Sequence, residues 1–266
     1  MKKILIGLFL LLVSIPIIVW GGLIFNIFVF LISFLGLHEF MSIKDKKKEI
    51  PIFIKLICYI SLSFLIFCNM YGSSLILTID YRILGSIFML LLIPNVLYHD
   101  KSLYSINDAF YLMGGVLFLG ISFSLLILVR NISLSMFIYL ILIGIVSDTY
   151  AFITGKLIGK HYLLKDISPN KTIEGILGGL LVGTFIPCLY YVTVIGNISL
   201  MSIIFITLFL SLLGQIGDLC FSSIKRYFDV KDFSNLIPCH GGILDRFDSI
   251  IFIFLGFMFF INVIGG

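Results

Sequence analysis

The sequence is poor in charge. Charged residues make up only 12% of its 266 residues, and 60% are hydrophobic. Soluble domains carry roughly 25% charged residues, so this chain cannot cover a water-facing surface, and a soluble globular protein is excluded. Apolar runs of about 18 or more residues, the length that predicts a membrane-spanning helix, recur along the chain. We predict an all-α fold, namely a polytopic transmembrane helical bundle.

Cysteine is sparse and carries no metal-binding spacing. The five cysteines lie far apart with no CxxC pair, so we expect neither a disulfide framework nor a thiolate metal site. The first twenty residues, "MKKILIGLFLLLVSIPIIVW", are similar to a signal peptide. No small-x-small cleavage site follows them, and we therefore expect a retained first helix.

The apolar segments predict about nine spans, within a range of eight to ten. The first two are separated only by Gly21-Gly22, which allows either two helices or one re-entrant or kinked unit. We divide the chain into residues 1–130, with about five spans, and residues 131–266, with loops 153–174 and 221–247. The predicted spans are 4–20, 22–40, 52–69, 83–98, 109–129, 133–152, 175–195, 199–220 and 248–264.

The basic residues predict the orientation of these spans. With nine spans and a cytosolic N-terminus, 16 of the 18 lysines and arginines fall in or beside cytosolic segments. Only Arg82 and Arg130 fall outside. Cytosolic loops of membrane proteins carry such an excess, so we place loops 153–174 and 221–247 in the cytosol.

Three carboxylates lie inside or at the ends of apolar spans, namely Asp148, Asp218 and Asp245. A carboxylate in a bilayer costs roughly 2.5–3.5 kcal/mol on insertion scales, so it usually faces a partner or a wet cavity. The predicted topology puts all three near the cytosolic ends of their spans. We therefore expect them to converge there.

Two of the spans carry a distinct face. The eighth has a polar stripe at helical spacing, and the sixth has a face of small residues that includes Asp148. Hydrogen bonding or close packing between helices is the alternative explanation for the Ser, Gln and Gly members. The stripes are Ser211, Gln215, Asp218, Ser222 and Lys225, and Gly144, Asp148, Ala151 and Gly155.

Two loop segments suggest phosphate binding. In "SPNKTIEG", Lys171 and Thr172 precede a helix start, where free backbone N–H groups favour anions, although Thr172 also suits a simple N-cap. In "KRYFDVKDFSNLIPCHGGILDRFDSI", cations, Gly241-Gly242 and carboxylates lie together. Such a segment suits phosphate and Mg²⁺, but a loop obeying the positive-inside rule would also be basic.

Residues 222–248 resemble the signature of the phosphatidate cytidylyltransferase family. Three further blocks agree, "SDTYAFITGK", "SPNKTIEG" and "GQIGDLCFSSIKR", while Cys239 and Lys156 differ from the residues usual there. The fixed positions of the signature are Ser222, Lys225, Arg226, Lys231, Asp232, Pro238, His240, Gly241, Gly242, Asp245, Arg246 and Asp248.

This resemblance implies transfer of CMP from CTP to phosphatidate at the cytosolic face of the cell membrane, giving CDP-diacylglycerol and pyrophosphate. It makes residues 131–266 the catalytic region and implies Mg²⁺, either alone or with a second metal or a monovalent cation such as K⁺. The implied catalytic residues are Asp218, Asp245, Lys225, Arg226 and His240, with Asp218 and Asp245 as metal ligands. The implied substrate-binding residues are Asp148, Ser168, Lys171, Thr172, Ser222, Lys231, Gly241, Gly242, Arg246 and Asp248.

Two other functions remain open from the residues. A CTP-dependent polyprenol or dolichol kinase would transfer the γ-phosphoryl group instead and release CDP. An ion-coupled transporter would use intramembrane acids for ions, although we find no internal repeat of the kind many transporters show. We expect CTP, phosphatidate and the lipid bilayer as partners, no nucleic acid, and by family analogy a homodimer.

Overall fold

The structure is a computed structural model that describes residues 2–70, 81–98, 103–164, 166–196, 198–238 and 241–261. Helices dominate these residues, which confirms the all-α class, and the described strands form one antiparallel hairpin, β1 Tyr162–Leu164 and β2 Ser168–Thr172. The helices are α1 Lys2–Trp20, α2 Gly22–Asp45, α3 Ile52–Asn69, α4 Tyr81–Leu92, α5 Pro94–Leu97, α6 Ile106–Ile132, α7 Leu134–Ile158, α8 Ile173–Val194, α9 Leu200–Tyr227 and α10 Leu244–Phe257, with a 3₁₀ turn at Met258–Phe260.

Within the described ranges, six helices are long and apolar enough to cross a membrane: α2, α3, α6, α7, α8 and α9. The chain is therefore a polytopic helical membrane protein. The predicted first, fourth and ninth spans coincide with α1, with α4 and α5, and with α10, which has only 14 residues. The total of nine spans and the cytosolic N-terminus remain predictions.

The chain divides into two compact units. The first contains Met1–Ile132 and Phe228–Asp245, and the second contains Ser133–Tyr227 and Arg246–Gly266. The segment after α9 thus belongs to the first unit. The assignment of function to residues 1–130 and 131–266 remains a prediction.

Helix α6 forms the core of the first unit. It is the most buried of the six long helices, and it packs against α2, α3 and α4. A side chain at Gly115 would meet the Phe40 ring of α2, and one at Gly120 would meet Leu65 of α3. Both glycines therefore set the close approach of these neighbours.

The turn between α1 and α2 depends on Arg130, at the end of α6. Its guanidinium donates to the carbonyl oxygens of Ile18 and Val19, two of the carbonyls left free at the end of α1. Gly21 has φ +66°, and a Cβ there would lie 2.5 Å from the Arg130 guanidinium. The first two predicted spans are therefore separate helices that break at Gly21.

In the second unit, α7 and α8 pack at close range. A glycine ridge on α8, Gly175, Gly179 and Gly183, faces Ser147 and Ala151 of α7. Small residues at this spacing let the backbones of membrane helices approach each other. Helix α9 then packs against both helices, so the three form a bundle.

The glycine ridge gives the first prediction. A Cβ at Gly179 would lie 2.7 Å from the Ser147 carbonyl oxygen and 2.8 Å from the Ala151 Cβ. Gly179→Ala should therefore cost about 1–3 kcal/mol through overpacking and lower the melting temperature in detergent by several degrees. Gly114→Ala is the matched control, since a Cβ there meets nothing within 4 Å. Equal melting temperatures for both variants would contradict the packing described here.

Candidate active site

A polar cavity of about 500 Å³ opens in the second unit, bordered by α7, the hairpin, α8 and α9. Its volume is within the range of small-molecule sites, roughly 300–1,000 Å³. Two carboxylates and two ammonium groups face it together with several neutral polar side chains. The polar lining residues are Asp148, Lys156, Tyr162, Asn170, Lys171, Thr172, Gln215 and Asp218.

An ion pair between β2 and α9 lies at the centre of this lining. The Nζ of Lys171 is 2.6 Å from Oδ2 of Asp218, and it also donates to the Gln215 carbonyl oxygen at 3.4 Å. The Ser222 hydroxyl donates to the other Asp218 oxygen at 3.3 Å. Sequence alone predicted Asp218, Ser222 and Lys171 as site residues, and the structure brings these three together.

Two more predicted carboxylates lie within electrostatic range of Asp218. Asp148 on α7 accepts from the Ser249 hydroxyl at 2.8 Å, and Asp248 on α10 accepts from the Ser249 amide at 2.8 Å. The charge of Asp218 acts on both carboxylates, and Lys225 acts on Asp248. Asp148 and Asp218 thus line one cavity, with Asp248 in electrostatic range of both, and the roles of these acids remain predictions.

The donor set suits a hard divalent cation. Mg²⁺ usually takes only one or two protein carboxylates and completes its shell with water and substrate phosphates. Among the described residues, no cluster of three or more His, Cys, Asp or Glu residues could hold a metal on its own. Asp218 can serve as one of the one or two carboxylates that Mg²⁺ needs, since its carboxylate faces the cavity and already contacts a cation, the Lys171 ammonium.

The polar stripe of α9 serves two purposes. Ser211 and Gln215, both buried, donate to the Ser147 hydroxyl of α7 at 3.1 Å, and Gln215 also donates to the Ile176 carbonyl oxygen at 3.2 Å. This part of the stripe joins helices, as the alternative explanation held. Asp218, one turn further along, faces the cavity, which Gln215 also lines.

The start of α8 differs from the predicted phosphate cradle. Thr172 is an N-cap whose hydroxyl accepts from the Gly175 amide at 3.1 Å, and the Ile173 amide donates to the His161 carbonyl oxygen at 2.9 Å. The expectation of free amides is therefore wrong for these two groups. Lys171, by contrast, points into the cavity.

Glu174, in the first turn of α8, holds the hairpin. Its carboxylate accepts from the Lys160 amide at 3.1 Å and from the His161 amide at 3.2 Å, and it pairs with the His161 ring at 2.6 Å. At the hairpin turn, Arg226 donates to the Ile167 carbonyl oxygen at 3.2 Å. These contacts position β2, which carries Ser168 and Lys171, at the cavity.

The remaining predicted residues occupy other places. Asp245, in the first turn of α10, accepts through Oδ2 from the Phe233 and Gly242 amides, both at 2.9 Å. Gly241 has φ +81°, in the left-handed region that favours glycine. Lys231 and Arg246 are exposed. His240, expected to be catalytic, and Cys239 lie outside the described residues.

Sequence reasoning missed several polar residues. Lys156, Asn170 and Tyr162 line the cavity, and the hairpin that places the last two was expected to be a loop. Glu39, in the last two turns of α2, is only 1% exposed, yet it was not among the carboxylates we singled out. The criterion that found Asp148, an acid at the end of an apolar span, would also have found Glu39.

Known proteins resemble this chain over almost its whole length. Residues 1–264 match the model of a family described as the cytidylyltransferase family. A phosphatidate cytidylyltransferase of Staphylococcus saprophyticus is 36% identical over 244 residues, which are 91% of this chain and 92% of that protein. Proteins of the same name from Staphylococcus aureus and Staphylococcus haemolyticus are 36% and 34% identical over the same shares.

The Lys171–Asp218 pair gives the second prediction. Lys171→Met leaves the Asp218 carboxylate without its ammonium partner and should lower stability by about 1 kcal/mol, a modest value because both side chains are partly exposed. Adding Asp218→Asn should recover most of that loss, measured as the melting temperature in detergent without nucleotide. Lys160→Met, an exposed lysine beside the hairpin, is the control. Additive losses in the double variant would show that the two groups do not interact.

Proposed function

The chain belongs to the cytidylyltransferase family, and we propose that it transfers CMP from CTP to phosphatidate. The products are CDP-diacylglycerol and pyrophosphate. The observation that carries this proposal is the match over 91% of the chain to proteins named phosphatidate cytidylyltransferase. The cavity supports it, because a site lined by lysines and carboxylates suits a metal-bound triphosphate.

The reaction makes one phosphorus–oxygen bond and breaks another. An oxygen of the phosphatidate phosphate attacks the α-phosphorus of CTP in line, and the bond to the β-phosphate breaks as pyrophosphate leaves. Phosphatidate is already anionic at neutral pH, so no strong general base is required. The protein's task is then to position two anions and to neutralise their charge.

The cavity residues have separate tasks in this scheme. Lys171 and Lys156 face the cavity, where their ammonium groups would bind phosphate oxygens of the nucleotide. Lys171 is held by Asp218 before the nucleotide arrives. An incoming triphosphate competes for this lysine and so leaves the Asp218 carboxylate available to a cation.

We propose Mg²⁺ as the cation, held by Asp218 with Asp148 and Asp248 nearby. When bound, it would neutralise the phosphate charge that develops as pyrophosphate leaves. Whether a second metal or K⁺ takes part remains a prediction, as does the role of Asp245 as a ligand. Oδ2 of Asp245 accepts hydrogen bonds from two backbone amides, so substituting Asp245 would also disturb the local fold. Loss of activity in such a variant would therefore not identify a metal ligand.

The membrane location follows from the substrates as well as from the helices. Phosphatidate is a bilayer lipid, and CTP is a soluble nucleotide, so the site must open at a membrane surface. We propose the cell membrane, with the site on the cytosolic side that the basic loops predict. The homodimer expected by family analogy also remains a proposal.

The reaction type is tested by the fate of labelled CTP. With phosphatidate and Mg²⁺, label at the α-phosphorus should enter the lipid product, and label at the γ-phosphorus should appear in pyrophosphate. Omitting phosphatidate, CTP or Mg²⁺ in turn should abolish both signals. Lipid labelled from the γ-phosphorus, together with free CDP, would instead identify a lipid kinase.

The role of Asp218 is tested by substitution. Asp218→Asn should lower the rate of CMP transfer by about a hundredfold or more, the scale seen when one electrostatic stabiliser is lost. Asp166→Asn, at the exposed turn of the hairpin, is the control and should keep normal activity. Near-normal turnover of Asp218→Asn at limiting Mg²⁺ would remove Asp218 from the metal site.

A further inference from the structure

Glu39 holds a segment far away in the sequence. Its carboxylate, in the last two turns of α2, accepts hydrogen bonds from the Ser234 hydroxyl at 2.6 Å, the Ile243 amide at 2.8 Å and the Leu244 amide at 2.9 Å. Nearly 200 residues separate Glu39 from Ser234 in the chain. A side chain that is only 1% exposed and accepts three hydrogen bonds makes a specific, desolvated contact.

The contact supplies hydrogen-bond acceptors for backbone amides at the start of α10. The first amides of a helix have no partner within the helix, and an acid near them is favoured by the helix dipole. Glu39 accepts hydrogen bonds from the Ile243 and Leu244 amides, and Asp245 accepts one from the preceding amide, that of Gly242. Two carboxylates thus bind three successive amides, those of the two residues before α10 and of its first residue.

The two glycines of the signature fit the same contact. A Cβ at Gly242 would lie 2.6 Å from both carboxylate oxygens of Glu39. A Cβ at Gly241 would lie 2.9 Å from Oδ2 of Asp245, and the positive φ of Gly241 disfavours a side chain in any case. The Gly-Gly pair is therefore required for these carboxylates to approach the backbone, whether or not a ligand also approaches it.

We propose that Glu39 is a positioning residue for CMP transfer. It acts by holding Ser234 and the turn at Gly242–Leu244 in one conformation. That segment leads directly into α10, which carries Asp248, one of the acids that the proposed function places near the cation, and the inference rests on that function. Glu39 itself needs no contact with substrate, since its hydrogen bonds all go to this segment in the contacts described above.

The first test compares turnover with stability. Glu39→Gln keeps the size of the side chain but turns an NH₂ group toward amide donors. It should lower kcat by about tenfold or more, because the contact involves a charged, buried acceptor. The KM for CTP should change by less than about threefold, since a positioning residue makes no substrate contact. kcat is calculated from the amount of protein that elutes as a monodisperse peak in gel filtration. Glu49→Gln, at an exposed position, is the matched control.

The second test is a double-mutant cycle with Gly242. If the Cβ of Gly242→Ala acts by displacing Glu39, the substitution should lower kcat about tenfold in the wild type. In Glu39→Ala the same substitution should lower kcat by less than about threefold. If the glycine instead admits a ligand, the cost would be equal in both backgrounds. Equal costs, or a Glu39→Gln variant with wild-type kcat, would overturn the proposal. Loss of the monodisperse peak in both Glu39 variants would assign the residue to folding alone and would also overturn it.

A third measurement does not depend on activity. The amides of Ile243 and Leu244 donate hydrogen bonds to Glu39, so their hydrogen exchange with solvent reports on this contact. Glu39→Gln should speed their exchange by about threefold or more, because local opening becomes easier. Unchanged exchange would refute the positioning contact. Faster exchange in Glu39→Gln, together with a wild-type protein that makes no CDP-diacylglycerol, would keep the contact and refute the proposed function.

Discussion

Carboxylates within apolar helices impose the constraint on which this protein depends. An ionised carboxylate in a bilayer costs roughly 2.5–3.5 kcal/mol on insertion scales unless it has a partner or water. Each such acid discussed above has a partner. Asp218 pairs with Lys171, Asp148 accepts from Ser249, and Glu39 accepts from Ser234 and backbone amides. Asp108, at the start of α6, pairs with Lys44 in the last turn of α2 and with Lys48 just after that helix.

The kind of partner separates two roles. Glu39 is buried and accepts hydrogen bonds from backbone amides, and these donors cannot turn to another anion while the segment stays folded. Asp218 faces a cavity, and its partner is the flexible side chain of Lys171. A lysine can leave one anion for another, as backbone amides cannot. The first arrangement suits the positioning of a segment, and the second suits the binding of a charged nucleotide.

The sequence predicted those parts of the site that depend on local patterns. The helical spacing of the α9 stripe placed Gln215 and Asp218 on an interior face, and Thr172 had the residue type and position of an N-cap. The hairpin was not predicted, because β2 is short and contains Pro169, which suits an edge strand but also a loop. The contact of Glu39 with Ile243 follows no pattern along the chain.

The sequence by itself therefore determined the membrane character, the helical class, the family and three of the four charged residues that line the cavity, namely Asp148, Lys171 and Asp218. Composition, periodicity and a fixed motif are properties of neighbouring residues, and they can be recognised without a structure. Only the tertiary structure decided which donor each acid received, which amides at helix starts were already used, and why Gly242 must lack a side chain. Those outcomes depend on contacts a few ångströms long between segments remote in the chain, and packing alone sets such distances.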